Sequence, residues 1–174
     1  SQLEYLFTKP IRSYLNNQFI SIIYSDLWGD YWGYFTFTSR FLDYGRNQLN
    51  IGDYLARVNI VSTVTTFIII YFCYLSYRYY KSNFIIQYVN LAWITSFIGY
   101  LLFAISYPNS TGDTIKSTYI IQAFHLMVFL ASIYFYDLKR MNKKIYNGIL
   151  FTLVLIYIHN FQSYLSHFPI NFYP

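Results

Sequence analysis

The sequence predicts an all-α integral membrane protein, with four transmembrane helices and an N-terminal interfacial helix and loop region on the outer surface. Three observations carry this reading. Only 11% of the residues are charged while 56% are hydrophobic, whereas an ordinary soluble domain is about one-quarter charged. Four stretches lack Asp, Glu, Lys and Arg for long enough to cross about 30 Å of hydrocarbon at about 1.5 Å per residue. The connectors between the first and second and between the third and fourth stretches are both short and basic, so they belong on one side.

The N-terminal region, residues 1–56, opens with SQLEYLFTKP. That opening has no basic start, apolar core or small-residue cleavage site, so it does not read as a signal peptide. The chain is expected to be trimmed or to be a piece of something longer. Next, Ile11, Tyr14, Leu15, Phe19, Ile22 and Ile23 recur at three and four and form one stripe of a helix. Pro10 suits its first position, where the missing N–H is no loss. Arg12, Ser13, Asn16 and Asn17 fall on the opposite face, as in a helix lying in the interface plane. This helix delivers the chain into YSDLWGDYWGY, Tyr24 to Tyr34.

The four spans of the bundle, residues 57–168, are Val58 to Tyr77, Phe84 to Tyr107, Ser117 to Tyr136, and Ile145 to about Phe168. Residues 169–174 form a short outer tail. The basic connectors are RYYKSN and DLKRMNKK, and by the positive-inside rule they are cytoplasmic. The inner side then carries Arg78, Lys81, Lys139, Arg140, Lys143 and Lys144 against Asp137 alone. The outer side balances Lys9, Arg12, Arg40, Arg46, Arg57 and Lys116 against Glu4, Asp26, Asp30, Asp43, Asp53 and Asp113. Both termini are expected outside, in a bacterial inner or plasma membrane.

Some function classes drop out. The net charge of +5 is spread between apolar spans, not gathered in a stripe that would track phosphates, which argues against nucleic acid as a partner. The single cysteine, Cys73, excludes an internal disulfide and a cysteine-based zinc or iron–sulfur site. Metal ligands, a phosphate-cradling glycine loop and a nucleophile motif are not expected. The 22 Tyr and 17 Phe carry little weight by number, because their codons are AT-rich. Position must decide.

The segment Tyr24–Tyr34 has two readings. As an aromatic belt it settles at headgroup level. As a substrate-binding loop, Asp26, Trp28, Asp30 and Trp32 offer carboxylates for hydroxyls and ring faces for sugar C–H groups, and Gly29 and Gly33 allow close approach. Lys116, at the mouth of the third span, either snorkels or neutralises a lipid phosphate. Asn109-Ser110-Thr111 matches a glycosylation acceptor pattern.

Deeper in, Gln122 and His125 on the third span and His159 and Ser163 on the fourth are cavity-lining candidates, because polar residues within spans face a bundle interior or wet cavity. Counting residues puts both histidines roughly 12 to 14 Å below the outer ends. Asn59, Ser62, Thr63 and Thr66 add a polar face to the first span, so the bundle is expected to open outward as a polar cup. Paired histidines also raise bis-imidazole haem ligation, beside their plainer role as packing residues.

The order YSDLWGDYWGYF, then IGDYLARVNIV leading into a span, then GDTIKSTYIIQAF opening another, resembles the C-terminal third of bacterial C-type membrane glycosyltransferases. These are related to protein mannosyltransferases and lipid A aminoarabinose transferases. The resemblance covers most of the chain through loose motifs. It implies an outward cavity that takes a polyprenyl-phosphate-linked sugar, with Lys116, followed by Tyr119, at the donor phosphate. The family's catalytic carboxylate lies in a first outer loop with no counterpart here, so the catalytic residue is unknown and the chain is expected to be an inactive fragment. A small non-catalytic subunit of a larger membrane complex is the alternative, and a haem-binding membrane protein is the third.

Overall fold

The computed structural model describes residues 2–10, 18–29, 46–107 and 115–165, and among these every regular element is a helix. In chain order they are α1 (Gln2–Thr8), α2 (Phe19–Trp28), α3 (Arg46–Tyr79), α4 (Phe84–Ser106), a 3₁₀ turn (Ser117–Tyr119), α5 (Ile121–Met141) and α6 (Lys143–Leu165). Three helical stretches are long and apolar enough to cross a membrane: Gly52–Tyr79, Phe84–Ser106 and Ile121–Met141. They identify a membrane protein. Their outward surfaces agree, since Phe67, Tyr71, Phe84, Ile85, Leu91, Leu102 and Phe129 are all exposed, a cover of large side chains that suits hydrocarbon and not water.

The N-terminal elements differ from expectation. Pro10 is buried just after α1, whose end Thr8 marks by donating its hydroxyl to the Glu4 carbonyl at 2.8 Å. Residues 11–17, with Ile11, Tyr14 and Leu15 of the expected stripe, lie outside the described residues. Helix α2 carries the rest of it and runs on through Trp28, past the expected end at Ile23. Its buried residues are Ser21, Ile22, Ile23, Ser25 and Asp26, so most of the buried side chains are polar. Helix α3 begins at Arg46, so residues 46–56 are continuous with the first span and not part of a separate loop region.

Compactness divides the chain into two units: Ser1–Val61 with Asn109–Ser117 and Tyr157–Pro174, and Ser62–Pro108 with Thr118–Ile156. In the second unit, Phe72 and Leu75 of α3 meet Ala131, Tyr134 and Leu138 of α5, with Tyr146 and Ile149 of α6 packed against them. The rings stack in sequence, Phe72 on Phe135 at 5.9 Å and Phe135 on Tyr146 at 4.5 Å between centroids. A second cluster joins Cys73 of α3, Ile86 of α4 and Leu130 of α5.

Both basic connectors contain an asparagine that caps the helix behind it. A helix start leaves its first N–H groups unpaired, and an Asn side chain at the N-cap accepts from them. Asn83 Oδ1 accepts from the N–H of Ile85 at 3.0 Å and of Ile86 at 3.3 Å. Asn142 Oδ1 accepts from the Ile145 N–H at 3.1 Å. The turns are therefore tight, and α4 and α6 start directly behind them.

Candidate functional site

The first unit holds a group of buried polar side chains that lean on Asn59. Asn59 is 0% exposed, and its Nδ2 donates to the Leu6 carbonyl at 2.9 Å and to Ser25 Oγ at 3.1 Å. The Asn59 carbonyl accepts from the Tyr24 hydroxyl at 2.7 Å. One residue of α3 thus ties down both α1 and α2. The expectation that Asn59 and Ser62 line an open polar cup is corrected here: both are fully buried, and the Asn59 amide is committed to helix–helix contacts. A polar group taken out of water needs such partners.

Asp26 is the next member. It is 1% exposed, and its Oδ2 accepts from the Ser117 backbone N–H at 3.4 Å. Asp26 is thus a buried helical residue, where a solvated loop carboxylate was expected. Ser117 is itself fully buried and follows Lys116, which is half-buried. The structure therefore joins the Asp26 helix to the Lys116 segment by a backbone hydrogen bond. Trp28, half-buried, lies two residues further along α2 and so points roughly 200° around the helix from Asp26. Asp30 and Trp32 lie outside the described residues.

Gly29 permits this approach. A Cβ at Gly29 would meet Leu55 Cδ2 at 2.8 Å and Val58 Cγ1 at 3.5 Å, so the end of α2 lies against α3 where a side chain has no room.

The remaining candidates fall elsewhere. Tyr119 belongs to the second unit, is exposed, and presents its ring edge-on to Tyr100 of α4 at 6.0 Å. Gln122 donates to the Tyr119 carbonyl at 3.2 Å, and His125, one turn on, is exposed. Two clefts of the second unit, of about 460 and 320 Å³, are lined by other residues, Phe67, Tyr71 and Ile145 in one and Cys73, Asn90 and Trp93 in the other.

His159 is in the first unit and is exposed. Its carbonyl accepts from the Tyr54 hydroxyl at 3.3 Å, and the two rings stack with centroids 6.4 Å apart. Tyr54 precedes the charge-free run that starts at Val58, so the structure pairs His159 with the polar end of α3. Tyr54, Arg57 and Asn160 are functional candidates that the sequence reading missed. A signal existed: a Tyr and an Arg one turn apart, just before an apolar run, mark a membrane interface. No protein-family model, curated protein or solved structure matches the chain.

Proposed function

We propose that this chain is the donor-binding, outer-face part of a membrane glycosyltransferase that takes its sugar from a polyprenyl-phosphate carrier in a bacterial inner or plasma membrane. The carrying observation is the Ser117 N–H on Asp26 Oδ2, which sets Lys116 beside the helix that leads into the acidic and aromatic segment. Lys116 supplies the charge for the donor phosphate, and the segment from Trp28 to Trp32 supplies ring faces and carboxylate oxygens for the sugar. The catalytic carboxylate belongs to another part of the enzyme.

In this reading α6 is a fourth span with both termini outside. Its 23 residues reach about 34 Å, and Phe151, Leu155 and Ile158 are exposed along it, as lipid contact requires. The basic residues of the two Asn-capped connectors support a cytoplasmic position for them.

The test is transfer from a polyprenyl-phosphate sugar by the complete enzyme carrying Lys116→Ala or Trp28→Ala, each checked for insertion and folding. Loss of a phosphate contact should lower donor use by roughly tenfold to a hundredfold, a charged hydrogen bond being worth about 1.5–3 kcal/mol. Wild-type rates in both variants would dismiss the reading. A non-catalytic subunit is the second reading, and one observation favours it: Asp26 is almost fully buried, a place suited to holding the fold and not to touching substrate.

A further inference from the structure

The first unit carries a second polar cluster, separate from the Asp26–Ser117 contact, around Tyr54. The guanidinium of Arg57 lies 6.0 Å from the centre of the Tyr54 ring, within the range of a cation–π contact, and the His159 ring stacks on the same tyrosine. Arg57 and His159 are both exposed. Among the described residues Arg57 forms no ion pair, although Asp53 lies one turn before it on α3.

The histidine is oriented from behind. Its Nδ1 lies 2.8 Å from Asn160 Oδ1, and Asn160 is 2% exposed. This contact engages Nδ1 within the protein and leaves Nε2 as the ring nitrogen that can meet a ligand. Tyr54 holds the backbone of His159 through its bond to the carbonyl and stacks on the ring.

We infer that Tyr54, Arg57, His159 and Asn160 form a recognition point for a phosphodiester headgroup that carries a neighbouring hydroxyl. Arg57 takes the phosphate oxygens, for which a planar guanidinium fork is suited. His159 Nε2 forms a hydrogen bond with the hydroxyl. Arg57 is the last charged residue before the charge-free run that starts at Val58, which is where headgroups of either source are found. That chemistry belongs to hydroxylated phospholipids and to lipid-phosphate-linked sugars alike. The inference does not rest on glycosyl transfer, because lipid retention and not turnover is its readout.

The experiment places the purified chain in phosphatidylcholine nanodiscs with a minor share of phosphatidylglycerol or phosphatidylmethanol. The latter keeps the phosphodiester and lacks the hydroxyls. Retained lipid is counted by native mass spectrometry. The wild type should retain phosphatidylglycerol over both others. Arg57→Gln should lose the preference for the anionic lipids by roughly tenfold. His159→Ala, with His159→Gln as a second variant should alanine disturb the fold, should keep the anion preference while losing the discrimination between phosphatidylglycerol and phosphatidylmethanol. Competition with a polyprenyl-phosphate sugar separates the sources: displacement of phosphatidylglycerol identifies the lipid-linked sugar as the ligand, and its retention identifies the phospholipid. Equal retention of phosphatidylglycerol by the wild type and Arg57→Gln overturns the proposal, as does an unchanged hydroxyl preference in folded histidine variants.

Discussion

The side-chain amide of Asn59 reaches across 53 residues of sequence to the carbonyl of Leu6, at 2.9 Å in a buried position. The contact explains how a helix of only seven residues, α1, persists. A helix that short is not stable alone in water, so its order comes from tertiary contacts. Leu6 is buried beside the bond, and the same amide holds Ser25 of α2.

Replacing Asn59 should therefore loosen both N-terminal helices together. Asn59→Ala leaves the Leu6 carbonyl and the Ser25 hydroxyl without their donor, and a stranded buried group costs about 1–3 kcal/mol. Asn59→Asp keeps the shape and removes the donor. Both variants should unfold at lower temperature in detergent, and hydrogen exchange should rise in α1 and α2 while staying unchanged around Phe72 and Tyr134. Uniform loss of protection would contradict the local account.

Gly29 gives a sharper packing test. Gly29→Ala brings a methyl group to 2.8 Å from Leu55 Cδ2, so the end of that buried side chain must shift. Overpacking of this kind costs about 1–3 kcal/mol. Leu55→Ala alone also destabilises, by leaving a cavity. The double variant should be more stable than the two separate losses would add to, and additive losses would place the clash elsewhere.

The membrane topology is open to chemical labelling. With Cys73 replaced by Ala, Cys placed at Ser82 or Ser110 should react with an impermeant thiol reagent in intact cells only at position 110. Ser82 lies in the connector with Arg78 and Lys81, expected inside, and Ser110 in the loop before the third span. Labelling confined to position 82 would invert the assignment.

How much of this was legible in the sequence depended on how widely each cause is spread. Three of the four expected spans were readable because the hydrocarbon acts on every residue of a helix, and α4 begins at Phe84 where the charge-free run does. The connectors were readable by their charge. Helix α1 was not, because a bond from Asn59, far along the chain, holds it. Asp26 read as a loop residue because Asp and Gly crowd the stretch, yet its carboxylate faces the protein and accepts from Ser117. The pairing of His159 with Tyr54 was not legible, because a run of apolar residues does not reveal how far one helix is offset along another.

Asp26 separates the structural and the functional parts of the site. Its carboxylate accepts the Ser117 N–H, and an asparagine at that position keeps an oxygen for the bond while removing the charge. Asp26→Asn should then lose less stability than Asp26→Ala, which removes the acceptor from a buried backbone donor at a cost of about 1–3 kcal/mol. Thermal unfolding of the two variants measures the difference. Under the proposed glycosyltransferase reading, the Asn variant should keep near-normal donor use, because the fold still presents Lys116, whereas Lys116→Ala should raise KM for the lipid-linked sugar. If Asp26→Asn folds normally but lowers kcat with KM untouched, the carboxylate itself takes part in the reaction and Asp26 is more than a support for the Lys116 segment.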